Sequence, residues 1–255
     1  MASPVTFQLL GVTMRQLSQW TWFGRLAVVI IGLLSISARP TSATTGDTYL
    51  TYLPALTLDN WHYVVNEDFE GQWPNPGWTL SNNTPNYLWG RRDCRPASGH
   101  YSAWLMGAGT LGTNLPCGNY YQRGMQSWMR FGPFSLAEAE AAEFNMRLWF
   151  YGGQDDVVSQ MASTDGSSFA GSGYYGSGNG FFPVHLDLSG YAGADQVWIA
   201  VYFYSPQAAG ESRPEGAYVD DLTVRWCATN CQSVTSASSS NALTAEPISA
   251  VLPAP

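Results

Sequence analysis

Residues 144–151 read FNMRLWFY, and they alternate: Phe144, Met146, Leu148 and Phe150 fall on one side, Asn145, Arg147, Trp149 and Tyr151 on the other. Successive side chains of an extended chain point to opposite faces, so this period of two predicts a strand with one face in a core. Similar short runs recur at 62–70 (HYVVNEDFE), 87–92, 101–107, 125–131, 181–188, 197–204 (VWIAVYFY) and 216–226 (GAYVDDLTVRW), bounded by Gly, Pro, Asn or Asp. VWIAVYFY is apolar on both faces, which predicts a central strand. Asp165-Gly166 signals a hairpin, and the Gly/Ser/Tyr-rich SSFAGSGYYGSGNG after it reads as a flexible connection. Residues 136–143 (LAEAEAAE) favour a helix of one or two turns. Many short strands, little helix and no βαβ alternation predict an all-β, antiparallel β-sandwich.

The sandwich is expected to occupy residues 61–231 of the 255. Ahead of it, Arg15 and Arg25 precede an apolar core at 26–36, and small residues follow up to Ala43. Residues 1–43 therefore read as a secretory signal peptide. Its apolar stretch is shorter than the ~20 residues that cross a bilayer, so removal is expected, leaving no membrane span and a protein that is secreted or held at the cell surface. Residues 44–60 read as a linker. Residues 232–255, a Ser/Ala/Pro-rich tail, are predicted to be disordered, because they offer little apolar surface to bury.

Four cysteines in an exported chain are expected to pair, and Cys94 with Cys117 and Cys227 with Cys231 each close a local loop. One C-A-T-N-C and two distant singles do not make a zinc site. A formal net charge of -8 and the absence of lysine argue against a nucleic-acid partner, which would require a basic surface. Signals for catalysis are thin. His62, His100 and His185 stand apart, there is no HExxH, and the Gly/Ser text lacks the strand–turn–helix context of a nucleophile elbow. The remaining catalytic reading is a glycosidase in which Glu67, Asp68 or Glu70 faces Asp220 or Asp221 across ~5 to 9 Å.

Asp220 and Asp221 sit side by side in strand-like text. Such a pair is either a solvated edge, which guards against strand pairing, or a site where cations or donors offset burial. Taken in order, NEDFEG with PGW, then SGHYSA, VVSQMASTDGSSF, VHLDLSGYAGADQVWIAVYFYS and GAYVDDLTVRW resemble the jelly-roll modules of the MAM type and of the cleaved-adhesin type. They also resemble the domain that follows the catalytic part of immune-inhibitor-A-like secreted peptidases. The resemblance runs from Asn66 to Trp226. It departs from those families in lacking a peptidase domain, in its cysteine arrangement, and in reading GAYVDD where GWYIDD is usual.

The resemblance implies a galactose-binding-like or MAM-like jelly roll with a structural calcium where the first and last strands lie together. Glu70 of the Phe69-Glu70 pair, Asp220 and Asp221 would be its ligands, with Asp68 or Glu67 adding a carboxylate. Calcium takes six to eight hard oxygen donors, so carboxylates with backbone carbonyls suit it. Adjacent strand residues point apart, so both aspartates reach one ion only if a bulge or strand end turns them. Trp89, Trp104, Tyr174 and Tyr175 are the aromatic residues placed nearest loops, where ring faces can stack on sugars. The expected function is a secreted, non-catalytic recognition or adhesion module for an extracellular glycan or protein. A glycan-active hydrolase using paired carboxylates and a structural cell-envelope or spacer protein are the alternatives.

Overall fold

The computed structural model describes residues 60–84, 86–206, 215–231 and 244–251. Its strands are β1 (Trp61–Glu67), β2 (Trp78–Asn82), β3 (Leu88–Arg92), β4 (Ser102–Ala108), β5 (Gln126–Phe134), β6 (Ala141–Tyr151), β7 (Val157–Ser163), β8 (Ser168–Tyr175), β9 (Phe182–Asp187), β10 (Val197–Tyr204), β11 (Gly216–Cys227) and β12 (Thr244–Val251). The signal peptide (1–43), the linker up to residue 59 and residues 232–243 of the tail lie outside the described residues. Among those described, no helix is long and apolar enough to cross a membrane.

Two antiparallel sheets form. The first runs β3-β4-β11-β6-β9, with β1 also on β11; the second runs β12-β8-β7-β10-β5-β2. Strands β4 to β11 therefore divide as β4-β11-β6-β9 and β5-β10-β7-β8, which is the winding of a jelly roll. The expected alternation of β6 holds: Phe144, Met146, Leu148 and Phe150 are buried in the core. Val197, Ile199, Val201 and Phe203 of β10 meet them from the other sheet. β10 is central, lying between β7 and β5. Both expected disulfides are present, Cys94–Cys117 and Cys227–Cys231.

The structure departs from the sequence reading in four places. The Gly/Ser/Tyr-rich segment read as a flexible connection is largely strand β8, paired with β7 on one side and β12 on the other. The reason is close approach: a Cβ on Gly171 would stand 2.0 Å from the Gln160 carbonyl oxygen, so glycine here permits the pairing. Thr244–Val251, within the tail predicted to be disordered, forms β12 on the β8 edge. The low apolar content was read correctly, since β12 is largely exposed, but an added edge strand is held by main-chain bonds and needs little burial. No helix forms over 136–143; Ala141–Glu143 open β6, where Ala141 pairs with Cys227 and Ala142 is buried. Sheet pairing and burial override a helix propensity worth a few tenths of a kcal/mol per residue. Finally, β1 ends at Glu67, so Phe69 and Glu70 lie beyond it, with Phe69 at φ +58°.

Candidate functional site

The acidic residues gather around one loop. β11 is irregular between Asp220 and Thr223, and Asp221 adopts φ +48°, so the turn that strand geometry demands is present. Asp220 is fully buried in a strand that pairs on both sides, which rules out the solvated-edge reading. Its Oδ2 accepts N–H bonds from Ala97 (2.7 Å) and Ser98 (3.2 Å), and its Oδ1 accepts the Asp221 N–H (2.8 Å). The Ser98 hydroxyl donates to Asp221 Oδ1 (2.7 Å). From the other side, Glu70 Oε1 accepts N–H bonds from His100 (2.7 Å) and Tyr101 (2.8 Å). Gly99 between them has φ +59°, and a Cβ there would lie 2.4 Å from Glu70 Oε1. The SGHY text is thus the loop that three carboxylates clasp.

Asp68 and Glu67 complete this corner locally. Asp68 Oδ1 accepts the Glu70 N–H, while Glu67 accepts the Phe69 N–H and the Asn75 side-chain amide. Burial pushes the Asp220 carboxyl up to about 6, against the pull of its N–H donors, and burial also raises Glu67. The donor set is chemically of the kind calcium takes, all hard oxygens. It does not converge as a carboxylate cage: among the described residues, the one group of three with ligand atoms within 4.8 Å is Asp93, Cys94 and Cys117, whose sulfurs form a disulfide.

The aromatic residues placed nearest loops are mostly elsewhere. Trp89 and Trp104 are fully buried within β3 and β4. Trp104 stacks on Tyr218 at 5.6 Å and donates its Nε1–H to the Glu215 carbonyl (2.6 Å). Arg92 over Trp104 and Arg95 over Trp149 close that cluster, with Arg95 ion-paired to Glu215. Neither ring is open to a ligand. Tyr174 faces inward, its hydroxyl bonded to Gln160 Oε1 (3.3 Å) and its phenol pushed up to about 12 by burial. Tyr175, one residue on, turns to the opposite face and is half-buried.

That opposite face, the outer side of the second sheet, gathers a second group of aromatic residues, buried or half-buried; the exposed tyrosine rings among the described residues, Tyr63 and Tyr120, are not part of it. β10 splits cleanly: Val197, Ile199, Val201 and Phe203 enter the core, and Trp198, Ala200, Tyr202 and Tyr204 turn outward. Trp128 of β5, Met161 of β7, Phe169 of β8, and Ile248 and Ala250 of β12 join them in a cluster separate from the core. In register, Tyr202 stands between Trp128 and Ser159. Its ring stacks on Trp128 at 4.1 Å and 26°, and on Tyr204 at 6.3 Å and 21°. Trp128, Phe169 and Tyr202 are buried, while Trp198, Tyr204 and Tyr175 are half-buried. The result is a near-parallel ladder with a buried base and an accessible rim. Three polar atoms on this face, Trp128 Nε1, Ser159 Oγ and Arg130 Nε, are buried without a hydrogen-bond partner.

Sequence reasoning missed this face, although β10 carried the signal. One phase of VWIAVYFY is Val, Ile, Val, Phe; the other holds Trp and two Tyr, rings with polar tips that suit a half-wet surface.

No protein-family model matches the chain, and no curated protein matches it. Solved structures do. A xylan-binding domain from CBM 22 is 14% identical, with TM-score 0.36 over 66% of this chain and 97% of that one. TmCBM61, in complex with β-1,4-galactotriose, is 9% identical, with TM-score 0.33 over 58% and 88%. TmCBM27, a carbohydrate-binding module with specific mannan recognition, is 14% identical, with TM-score 0.32 over 65% and 98%. The class is a jelly-roll β-sandwich, set by the strand order above.

Proposed function

We propose that this protein is a non-catalytic glycan-binding module, secreted or displayed at the cell surface, and that it binds sugar on the outer face of its second sheet. The observation that carries this reading is the pair of half-buried rings Trp198 and Tyr204 on the outward phase of β10, with Tyr204 stacked on the buried Trp128–Tyr202 pair. Rings with polar tips present apolar faces to the C–H side of a pyranose and donors to its hydroxyls. A sheet holds them on rigid main chain, so little ordering is needed on binding. Of the acids read as glycosidase candidates, Asp220 and Glu70 accept main-chain N–H bonds from one loop, Asp221 accepts the Ser98 hydroxyl there, and Asp68 and Glu67 accept N–H bonds within their own segment, so each serves the fold.

Calcium is part of the proposal only as a structural ion at the acidic clasp. Of the four expected ligands, Asp220 has both oxygens committed to N–H donors, so Glu70, Asp221 and Asp68 would have to draw together around the ion with main-chain carbonyls, and it has no role in sugar recognition. Thermal unfolding with calcium and with chelator tests it. An ion that binds only the folded state at a hundred times its dissociation constant adds about 2.7 kcal/mol of stability, and an unchanged melting point removes it.

The glycan reading is tested by calorimetric titration against a panel of soluble polysaccharides. Tyr204→Ala and Trp198→Ala should each weaken binding by up to about tenfold, the worth of one ring stack, with unfolding little changed. If no polysaccharide binds, the reading is wrong.

A further inference from the structure

The outer aromatic face carries a half-buried cation, Arg130. Arg130 follows Trp128 by two residues on β5, so both turn outward. In register it stands between Thr79 of β2 and Ala200 of β10, one row along from the Trp128–Tyr202 pair. Ala200 is small, and Trp198 lies next to it on the same face, so Arg130 is flanked by rings with little side-chain bulk between.

Among the described residues the other half-buried arginines differ in having an ion pair, two main-chain carbonyls or a ring: Arg91, whose Nε is also unpartnered, lies 3.6 Å over the Tyr101 ring and donates to the Glu70 carbonyl at 3.3 Å. Arg95 pairs with Glu215, Arg225 with Glu143, and Arg92 donates to the Gly112 and Leu115 carbonyls at 3.0 and 2.8 Å. Arg130 has no carboxylate partner among the described residues. Its one hydrogen bond is a long contact from Nη1 to the Gly166 carbonyl, 3.5 Å, and its Nε is buried with no partner at all. Asp165, beside Gly166, accepts the Ser163 hydroxyl and the Ser167 and Ser168 N–H groups, all on Oδ1, and forms no ion pair with Arg130. Glu246 of β12 is four strands from β5, roughly 19 Å at the usual strand spacing. Burial lowers the Arg130 pKa, and no nearby negative charge offsets that.

A half-buried guanidinium with no counter-ion is costly to keep, and in a ligand face the missing anion is supplied by the ligand. We propose that the glycan taken by this face carries a carboxylate, as a uronic acid residue does, and that Arg130 binds it. The inference rests on the glycan-binding reading above and gives that site its ligand class. Stacking on Trp198, next to Ala200 on this face, holds the acidic sugar ring, and the guanidinium fork selects it over its neutral counterpart; Tyr204, about 20 Å further along β10, meets another unit of the same glycan chain. Steering by overall charge would oppose such a ligand, since the chain is acidic. Recognition is therefore local, by one fork in a partly desolvated setting.

The test is titration of the purified protein with polygalacturonate, alginate and glucuronate-substituted xylan, each before and after chemical reduction of its carboxyl groups, and with neutral xylan, galactan and mannan. The expected result is binding to at least one acidic polymer that weakens at least tenfold on carboxyl reduction and falls as sodium chloride rises. Arg130→Gln should lose the same factor against the native polymer and bind the reduced one as the parent does. Arg130→Lys, which keeps the charge and loses the fork, should fall between. Equal affinity for native and reduced polymers, or tight binding to neutral glycans alone, overturns the acidic ligand and leaves the glycan reading standing. Absence of binding to any of these polymers overturns both. Should Arg130→Gln fail to fold, the carboxyl-reduction and salt measurements on the parent protein decide the matter.

Discussion

At the scale of single residues, Asp220 shows how a carboxylate can be required for its oxygens rather than its charge. Three N–H groups converge on it, yet burial still lifts its pKa to about 6, so ionisation is disfavoured relative to water. Asp220→Ala leaves those donors unsatisfied, and a loss of about 3 kcal/mol in urea unfolding is expected. Asp220→Asn keeps one accepting oxygen and sheds the buried charge, so its loss should be well under half of that. Asp165 is the opposite case. N–H donors from Ser168 and Ser167 hold its carboxyl well below the usual aspartate range. A depressed folded-state pKa gives stability that is present above the unfolded value near 4 and disappears as pH falls below it. The destabilisation caused by Asp165→Asn, measured by urea unfolding, should therefore be largest at pH 7 and shrink steadily from pH 4 to pH 2. Both aspartates drew notice in the sequence, one as half of an awkward pair and one as a hairpin signal. What could not be read was their partners: Ala97 and Ser98 lie more than 120 positions from Asp220.

At the scale of elements, strand existence was legible wherever side chains alternate, and illegible wherever pairing depends on their absence. β6 and β10 announce themselves by apolar phase; β8 does not, because its glycines are there to let β7 approach. Gly171→Val makes the distinction measurable. Valine favours strands in general, yet its Cβ would meet the Gln160 carbonyl at 2.0 Å. A loss of about 3 kcal/mol is expected in chemical unfolding, the scale of overpacking a tight site. Gly180→Ala, where nothing lies within 4 Å, should be neutral, and equal effects at the two positions would remove close approach as the reason for glycine in β8. The same blindness explains β12, since an edge strand that buries little leaves no hydrophobic pattern to find. It also explains the aromatic residues picked for loops. Trp89 and Trp104 sit in short strands whose flanking glycines suggested turns, and both rings are packed away. The outward phase of β10 instead holds half-buried Trp198 and Tyr204, on a strand whose two apolar faces are equivalent in the sequence although only one lines the core.

At the scale of the whole molecule, β11 is the piece on which the winding closes. It pairs with β6 along most of its length, with β1 over its second half and with β4 near its start, so distant parts of the chain meet on it. None of these contacts can form before long loops close, which favours one cooperative transition over separate melting of the sheets. The disulfides act on this closure unequally. Cys94–Cys117 spans 23 positions between the end of β3 and the approach to β5, whereas Cys227–Cys231 spans 4 at the end of β11. Restricting the unfolded chain scales with the logarithm of loop length, giving about 3 kcal/mol for the longer loop and about 2 for the shorter. Replacing Cys94 and Cys117 together by Ala should thus lower stability more than replacing Cys227 and Cys231. In each variant, tryptophan fluorescence and far-UV circular dichroism should still trace one coincident transition. Two separated transitions in the Cys94/Cys117 variant would show that the β3–β4 edge melts by itself, and that β11 does not couple it to the rest of the sandwich.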